Sequence, residues 1–277
     1  MKWRLINSGI STAAMNMAID EAIMLAHSRG EVPPTLRFYG WEPAAVSLGY
    51  FQRVKAAIDR QECDRLGIDV VRRLTGGRAV LHDRELTYSI VIHENHPSIP
   101  ATISASYRYL SRGLIGGLLQ LGVTAAMSMP REAYGKINRA RAAPSSAACF
   151  DAPSHYELTF EGRKVIGSAQ VRKYGVVLQH GSILLDFSPE KTAAVLVADT
   201  VEKKQAVAQF LACRAASLSE ILEYNVKWDE VYKAMCKSFA ESLEAELTEA
   251  FLTEEELETS HRLATSKYNQ CSWNMMR

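Results

Sequence analysis

Apolar residues recur at helical spacing in several parts of the chain. Between a capping residue at Ser11 or Thr12 and a stop at Gly30, apolar side chains return every three or four positions, which predicts an amphipathic helix. The same spacing predicts helices over residues 55–66 and 104–121.

Apolar runs bounded by turn residues predict β-strands between and after these helices. The predicted extended segments are residues 36–49, with a turn at 41–43, and residues 68–73, 79–82, 86–93, 156–160, 164–171 and 176–185. Tight turns at Glu161-Gly162 and Tyr174-Gly175 connect the last three segments, which predicts a three-stranded meander.

The pattern is helical from about residue 188 onward. Helix starts are indicated at Ser188-Pro189, at Ser217 with Glu220, and at Thr253 with Glu256, the last two with the spacing of capping boxes. A further helix from Trp228 is predicted to carry one apolar face, formed by Val231, Met235, Phe239, Leu243 and Leu247.

The segments connect without an obvious domain boundary. Residues 130–148 are rich in Ala, Ser, Arg and Pro and show no period, which predicts a mobile loop. The chain contains no internal repeat and no linker long enough to demand a domain break. Its 277 residues are therefore expected to form one domain over residues 1–277, with a helical C-terminal part from about residue 188.

Composition and charge exclude several classes of protein. Apolar residues make up 47% of the chain, charged residues 23%, and the net charge is +1, so no overall field favours nucleic acid or a membrane surface. No run has the length of a membrane span, and the N-terminus lacks the apolar core of a signal peptide. These features predict a cytoplasmic protein with neither a nucleic acid nor a membrane as partner.

The cysteines and histidines predict neither a disulfide framework nor a metal site. The five cysteines are widely scattered and contain no Cys-x-x-Cys pair. His93 and His96 could suggest a metal, but no carboxylate or thiol cluster completes a ligand set. We therefore expect no metal.

One cysteine and one lysine stand apart from the others. Cys149 lies in a loop of small residues, which leaves room for a bulky thioester, and Lys164 follows the Glu161-Gly162 turn at the start of a strand. A thiol that carries an acyl group and an amine that takes its proton are the parts that thioester exchange requires. Taken alone, Lys164 is better explained as a solvated turn lysine.

A glycine-rich turn with cationic neighbours precedes these residues. Arg72, Arg73 and Arg78 surround Gly76 and Gly77, so exposed backbone N–H groups could hold a carbonyl or a phosphate, although a plain strand turn is the commoner use of such glycines. The pattern is not a P-loop, and it gives no support to ATP binding.

His82 ends the apolar run after this turn. A histidine at a strand end is more often structural than catalytic, and we keep His82 as a secondary candidate for the site.

Four segments resemble one family. Residues 72–82 (RRLTGGRAVLH), 162–170 (GRKVIGSAQ) and 178–183 (LQHGSI) resemble the lipoate–protein ligase and octanoyltransferase superfamily, which is related to biotin–protein ligase. Residues 147–158 (AACFDAPSHYEL) look like the cysteine-bearing octanoyltransferase branch of Gram-positive bacteria. The likeness covers nearly the whole chain.

The resemblance implies a fold, an activity and partners. The implied fold is of the α/β (α+β) class, with a mixed, mainly antiparallel β-sheet flanked by helices, as in the catalytic domain of biotin and lipoate ligases. The implied activity takes an octanoyl group from acyl carrier protein onto a cysteine. The group then passes to a lysine of a lipoyl-type domain such as the glycine cleavage H protein, and no cofactor is required.

Carried onto this chain, the resemblance gives each candidate a role. Cys149 would be the acyl-thioester nucleophile, and Lys164 the lysine that sits by the acyl carbonyl and activates the thiol. The substrate-binding residues would be Arg73, Gly76, Gly77 and His82 on one side of an acyl pocket, and Gly167, Ser168 and Ala169 on the facing wall.

Three alternatives remain open on the sequence. An ATP-dependent lipoate–protein ligase would need no nucleophilic cysteine. An amidotransferase would use the same cysteine to move octanoyl between two lipoyl-type carrier domains. A non-catalytic protein that binds an acyl chain or a lipoyl domain would have no use for an activated thiol.

Overall fold

Two β-sheets form the framework of the computed structural model, which describes residues 2–127 and 157–277. The strands of the described residues, in chain order, are β1 (Lys2–Ser11), β2 (Thr35–Trp41), β3 (Ala45–Leu48), β4 (Asp69–Arg72), β5 (Val80–His82), β6 (Glu85–His93), β7 (Ala126–Met127), β8 (Leu158–Phe160), β9 (Arg163–Lys173), β10 (Val176–Leu184) and β11 (Glu246–Glu249).

The larger sheet is mixed and mainly antiparallel. Its order is β11-β1-β2-β6-β10-β9-β8-β7, and only the pairs of β1 with β11 and with β2 are parallel. The smaller sheet has the order β4-β3-β5. This architecture confirms the predicted fold class.

Helices pack on both faces of the larger sheet. The helices of the described residues are α1 (Ala13–Ser28), α2 (Val54–Ala57), α3 (Arg60–Arg65), α4 (Ile103–Leu110), α5 (Arg112–Gln120), α6 (Pro189–Ala194), α7 (Val201–Ala212), α8 (Leu218–Leu222), α9 (Trp228–Ser242), α10 (Glu254–Leu263) and α11 (Cys271–Asn274), with a π-helical turn at Ala264–Tyr268. Apolar residues of α5 and α9 pack with one face of the sheet around Phe38 and Tyr88. Those of α1 pack on the other face, against Val91 and Leu178.

The local signals in the sequence place most elements correctly. Helix α1 begins after Thr12, whose hydroxyl accepts the Met15 N–H, and β8, β9 and β10 form the predicted meander. The predicted helix over residues 55–66 is two helices, because Ile58 forms a β-bridge with Leu196 and Asp59 caps α3. The one over 104–121 is likewise divided at Ser111.

The prediction of a helix reaching Leu247 is wrong. Helix α9 ends at Ser242, Glu244 adopts a left-handed backbone conformation with φ 49°, and Leu247 lies in β11, where it pairs with Trp3. Leu243 and Leu247 keep helical spacing by coincidence, because an edge strand this short shows no alternation of its own. The capping box of Thr253 and Glu256 is confirmed, with both reciprocal hydrogen bonds present.

Two further predictions concern a loop and the absence of membrane spans. The predicted loop at residues 130–148 lies outside the described residues. Within the described ranges, none of the helices has the length and apolar character needed to cross a membrane.

Candidate active site

A cavity of about 450 Å³ opens between the smaller sheet and the strands β9 and β10. All seven of the predicted substrate-binding residues line it: Arg73, Gly76, Gly77, His82, Gly167, Ser168 and Ala169. Further lining comes from apolar and aromatic side chains, among them Met17, Tyr39, Trp41 and Val80. The sequence therefore located the two sides of one cavity from segments that are ninety residues apart.

The first side is the loop wall, residues 73–78, and the Arg73 side chain holds it together. The Arg73 guanidinium donates to Thr75 Oγ1 (3.1 Å), to Ser47 O (2.8 Å), and to the Gly76 and Arg78 carbonyls (2.9 and 2.7 Å). Each guanidinium nitrogen is thus used inside the protein. Arg73 lines the cavity as the clamp of this loop.

Neighbouring backbone packs tightly behind the loop wall. A Cβ added at Gly49 would lie 2.0 Å from the Gly77 carbonyl oxygen, and Tyr50 N–H donates to the Thr75 carbonyl at 2.9 Å. Gly77 has φ +98°, a conformation that other residues rarely adopt. Glycine is therefore required at both positions of this close approach.

Arg72, predicted as a cationic flank of the loop, faces inward. It is fully buried and donates to the carbonyls of Gly49 (2.8 Å), Gln52 (2.9 Å) and Asn274 (3.0 Å). Burial lowers the pKa of its guanidinium. Arg72 ties the C-terminal segment to the base of the loop wall.

The second side is the hairpin wall, residues 167–170 of β9 and 180–182 of β10. Gly167 pairs with Ser182, and Ala169 pairs with His180, in an antiparallel ladder. A Cβ at Gly181 would lie 2.3 Å from the Gly167 carbonyl oxygen. Small residues here leave the cavity open and let the backbones approach.

His82 is held on every side. Its Nδ1 lies 2.8 Å from Glu85 Oε1, its Nε2 lies 2.7 Å from Ser47 Oγ, and its ring stacks on Trp41 with centroids 4.0 Å apart. The ring lines the cavity while both nitrogens have protein partners. This arrangement suits a structural lining residue.

A second buried histidine, which the sequence analysis did not single out, lies under the loop wall. His180 Nε2 is 2.8 Å from Thr75 Oγ1, and His180 Nδ1 is 3.3 Å from Asp20 Oδ2. Burial lowers the pKa of His180, although Asp20 opposes the shift. Burial alone would raise the pKa of Asp20, but Arg37 and His180 outweigh it and the pKa is lowered.

Lys164 is buried rather than solvated. Only 3% of the residue is exposed, its Nζ donates to Glu157 Oε1 at 2.7 Å, and a Cβ at Gly167 would lie 3.0 Å from Nζ. Its backbone is fixed too: Lys164 N–H donates to the Arg214 carbonyl (2.7 Å) and the Lys164 carbonyl accepts from Ala216 N–H (2.9 Å). The amine therefore lies beside Gly167, which lines the cavity.

Cys149 lies outside the described residues, so its position relative to Lys164 stays a prediction. Among the other cysteines, Cys63 and Cys236 have thiols whose pKa burial raises to about 11, while Cys213 and Cys271 are exposed. In residues 2–127 and 157–277, no three His, Cys, Asp or Glu side chains cluster as a metal site would require.

Some residues of the site could have been found from sequence. Glu157 and His180 stand inside the segments that carry the family resemblance, at Tyr-Glu-Leu and Gln-His-Gly. Asp20 and Glu21 interrupt the apolar face of α1, and an acidic pair on a buried face calls for partners. The partners of Asp20, Arg37 and His180, could not be read from spacing.

Comparison with known proteins adds a family and relatives. The family model described as "Lipoyl protein ligase A/B catalytic domain" matches residues 12–240. The chain is 49% identical over 272 residues to octanoyltransferase LipM of Kyrpidia tusciae, covering 98% of each chain. It is 43% identical over 275 residues to octanoyltransferase LipM of Bacillus subtilis, covering 99% of this chain and 98% of the relative.

Solved structures agree with the family. The bipartite lipoate protein ligase of Thermoplasma acidophilum superposes with a TM-score of 0.81 at 26% identity, covering 99% of this chain and 96% of that one. A lipoate-protein ligase A bound with ATP has a TM-score of 0.78 at 27% identity and 99% coverage of both chains.

Proposed function

We propose, from the premise that this chain belongs to the lipoyl protein ligase A/B catalytic domain family, that it moves octanoyl from acyl carrier protein to a lipoyl-type domain. Its relatives at 49% and 43% identity are named octanoyltransferases, and the chain is a transferase of that kind, active in protein lipoylation. The glycine cleavage H protein is the acceptor that we propose, and the cytoplasm is the location that the sequence predicts.

One observation carries this proposal beyond the relatives. The Lys164 amine is buried, held by Glu157, and lies against Gly167 in the wall of a largely apolar-lined cavity. Burying an amine is costly unless it is paired, as Lys164 is with Glu157, and its place at the edge of an acyl-sized cavity favours a role in acyl chemistry. A protein that only binds an acyl chain has no need of it.

The proposed reaction has two acyl-transfer steps. In the first, the Cys149 sulfur attacks the octanoyl thioester carbonyl, a new C–S bond forms, and the carrier's thiolate leaves with the proton that Lys164 took from the Cys149 thiol. In the second, the neutral amine of the acceptor lysine attacks the carbonyl of the Cys149 thioester, an amide bond forms as the C–S bond to Cys149 breaks, and the proton lost by the acceptor amine passes through Lys164 to the Cys149 thiolate. The first step exchanges one thioester for another and the second runs downhill, so neither needs ATP.

Intact-mass measurement tests the covalent step. After incubation with octanoyl-acyl carrier protein and no ATP, the protein should gain the mass of one octanoyl group, and the adduct should decay on adding apo H protein. Cys149→Ala and Cys149→Ser should form no adduct. A fully active Cys149→Ala protein would end the thioester mechanism.

Lys164→Ala tests the proton-transfer role. We expect it to slow acylation by roughly a hundredfold or more, the usual contribution of a positioned acid–base group. Lys237→Ala, which removes an exposed lysine of α9, is the matched control and should acylate at the normal rate. An unchanged acylation rate in Lys164→Ala would refute the role.

The two rival activities give different results in the same assay. An ATP-dependent ligase would release pyrophosphate with free lipoate and ATP, and would tolerate Cys149→Ala. An amidotransferase would take octanoyl from an octanoylated lipoyl domain and not from acyl carrier protein. The ligase fold is shared with a protein bound to ATP, so the fold alone does not separate these activities.

A further inference from the structure

We propose that Asp20 and His180 are positioning residues for acyl transfer: through Thr75 they fix the loop wall against the sheet and so set one side of the acyl cavity. The inference rests on the proposed function for its kinetic consequence, but its structural part stands without it. Asp20, His180 and Thr75 belong to three separate parts of the chain: helix α1, strand β10 and the loop wall.

The first link joins the loop to His180. Thr75 is fully buried, and its hydroxyl oxygen accepts from Arg73 Nε at 3.1 Å and lies 2.8 Å from His180 Nε2. Because the guanidinium can only donate, the Thr75 hydroxyl keeps its own hydrogen for His180. Thr75 thus connects the Arg73 clamp to His180 of the hairpin wall.

The second link joins His180 to a carboxylate. An ionised Asp20 can only accept, so the hydrogen of the 3.3 Å contact lies on His180 Nδ1, and Nε2 is left as the acceptor for Thr75. The ring is thereby held as a single neutral tautomer. Burial, which lowers the pKa of His180, favours the same neutral form.

The third link anchors Asp20 in the centre of the larger sheet. Asp20 Oδ1 accepts from Arg37 Nη1 at 2.7 Å and from Ser89 Oγ at 2.8 Å, and Oδ2 accepts from Tyr39 OH at 3.1 Å. Arg37 and Tyr39 stand on β2 and Ser89 stands on β6, the strand that pairs with β10. Asp20 is held by three neighbours and cannot follow a moving loop.

The two glycines of the loop wall are held in place by their neighbours. Gly76 and Gly77 line the cavity but have no side chains with which to fix their own positions. Their place depends on the side-chain anchors at Arg73 and Thr75, together with the backbone packing against Gly49 and Tyr50. Loosening the Thr75 anchor should therefore move a wall of the acyl site without touching any residue that contacts the reacting atoms.

Thr75→Val and Thr75→Ser test the anchor. Valine keeps the shape and loses the hydroxyl, whereas serine keeps it. We expect about a tenfold faster amide hydrogen exchange over residues 75–78 and about a tenfold higher KM for octanoyl-acyl carrier protein in Thr75→Val, the scale of one buried hydrogen bond. Thr75→Ser should restore both values to near those of the natural protein.

Thr192→Val is the matched control for the loss of a buried hydroxyl. Thr192 is 5% exposed and donates to the Ser188 carbonyl at 2.9 Å in α6, and it does not line the acyl cavity. The Thr192→Val variant should have a lower free energy of unfolding, with no change in hydrogen exchange over residues 75–78 or in the KM for octanoyl-acyl carrier protein. Equal effects of Thr75→Val and Thr192→Val on the loop would overturn the proposal.

Nitrogen NMR of the natural protein decides the same question without a mutation. The His180 ring should show the neutral tautomer with hydrogen on Nδ1 at pH 7.5, and this assignment is available even if Thr75→Val does not fold. The opposite tautomer, or rapid averaging of the two, would overturn the proposal. If the natural protein transferred no octanoyl group, the proposed function would be refuted. Amide hydrogen exchange over residues 75–78 and nitrogen NMR of His180 would still show whether the Asp20–His180–Thr75 chain holds the loop wall.

Discussion

The two walls of the cavity are stabilised by different kinds of contact. The loop wall depends mainly on side chains, because the Arg73 guanidinium and the Thr75 hydroxyl provide most of its hydrogen bonds, beside main-chain bonds such as that from Tyr50 N–H to the Thr75 carbonyl. The hairpin wall depends on main-chain pairing between β9 and β10, with small residues where the backbones approach. The loop wall is therefore the more sensitive of the two to the loss of a side chain, although Gly77 tolerates no added Cβ, whereas the hairpin wall is sensitive mainly to added atoms.

The difference shows which substitutions should matter on each side. In the loop wall the Gly76 and Arg78 carbonyls accept from a side chain, and losing that side chain leaves partly buried acceptors without their donor. A ladder satisfies its own backbone, so removal of a side chain costs little there. An added methyl group, however, meets backbone atoms that cannot move independently.

Removal of the Arg73 clamp should have the largest effect. Arg73→Met leaves the Gly76 and Arg78 carbonyls and Ser47 without their donor, so we expect the free energy of unfolding to fall by about 3 kcal/mol or more. Ser168→Ala, on the hairpin wall, removes one contact to Tyr88 OH and should cost about 1 kcal/mol. Equal losses in urea denaturation would contradict the comparison.

Addition of a methyl group should show the reverse order. Gly181→Ala places a Cβ 2.3 Å from the Gly167 carbonyl oxygen, and we expect a loss of about 2 kcal/mol in unfolding free energy. Gly76→Ala, on the loop wall, meets no atom within 4 Å and should change stability by less than about 0.5 kcal/mol. A costly Gly76→Ala would show that the loop wall is as tightly packed as the hairpin.

Gly167→Ala should separate activity from stability. Its Cβ would lie 2.7 Å from Lys164 Cε and 3.0 Å from Nζ, and the end of a lysine side chain can shift at little cost in folding. Displacing the amine should slow acylation about tenfold, while thermal stability stays near that of the natural protein. A normal acylation rate would mean that the position of Lys164 matters less than proposed.

The smallest expected effect is the dependence of the free energy of unfolding on pH. Burial lowers the pKa values of His27 and His180 below the ordinary value of 6.5. The two imidazoles therefore bind protons more readily in the unfolded chain than in the folded protein. The free energy of unfolding should therefore decrease as the pH falls below about 6.5. Urea denaturation at pH 7.5 and pH 5.5 measures the change.

Two histidine variants sharpen this pH comparison. His180→Gln and His27→Gln should each flatten the pH dependence of stability, because each removes one buried histidine. Only His180→Gln should also change hydrogen exchange over residues 75–78, since His27 bonds to the Val32 carbonyl, away from the loop wall. Equal rates of hydrogen exchange over residues 75–78 in the two variants would show that His180 does not hold the loop wall.

The predictable part of the fold is the part governed by local rules. Gly162 and Gly175 both have positive φ at the hairpin turns, and these turns identified the meander from sequence. Strand β11 was missed because pairing with β1 is a tertiary event that four mostly exposed residues do not signal. Local spacing placed Leu247 on a helix, whereas its partner in the fold is Trp3.

The candidate site likewise has a part that local sequence predicts and a part that depends on tertiary contacts. The glycines and His82 were found because they stand in contiguous segments that resemble a known family. The function of Arg73 was not predictable, because its acceptors are mostly backbone carbonyls brought near by the fold. The burial of Lys164 and its pairing with Glu157 likewise depend on how the chain from 157 to 164 folds back at Gly162.

The pairing of β1 with β11 has a consequence for the order of assembly. Lys2 pairs with Glu246, so β1 can gain this neighbour only after the residues between the two strands have been made. Until then that edge of β1 presents unpaired N–H and C=O groups, which are open to pairing with other chains. The larger sheet should therefore be completed late in folding, because this contact joins residues that are far apart in sequence.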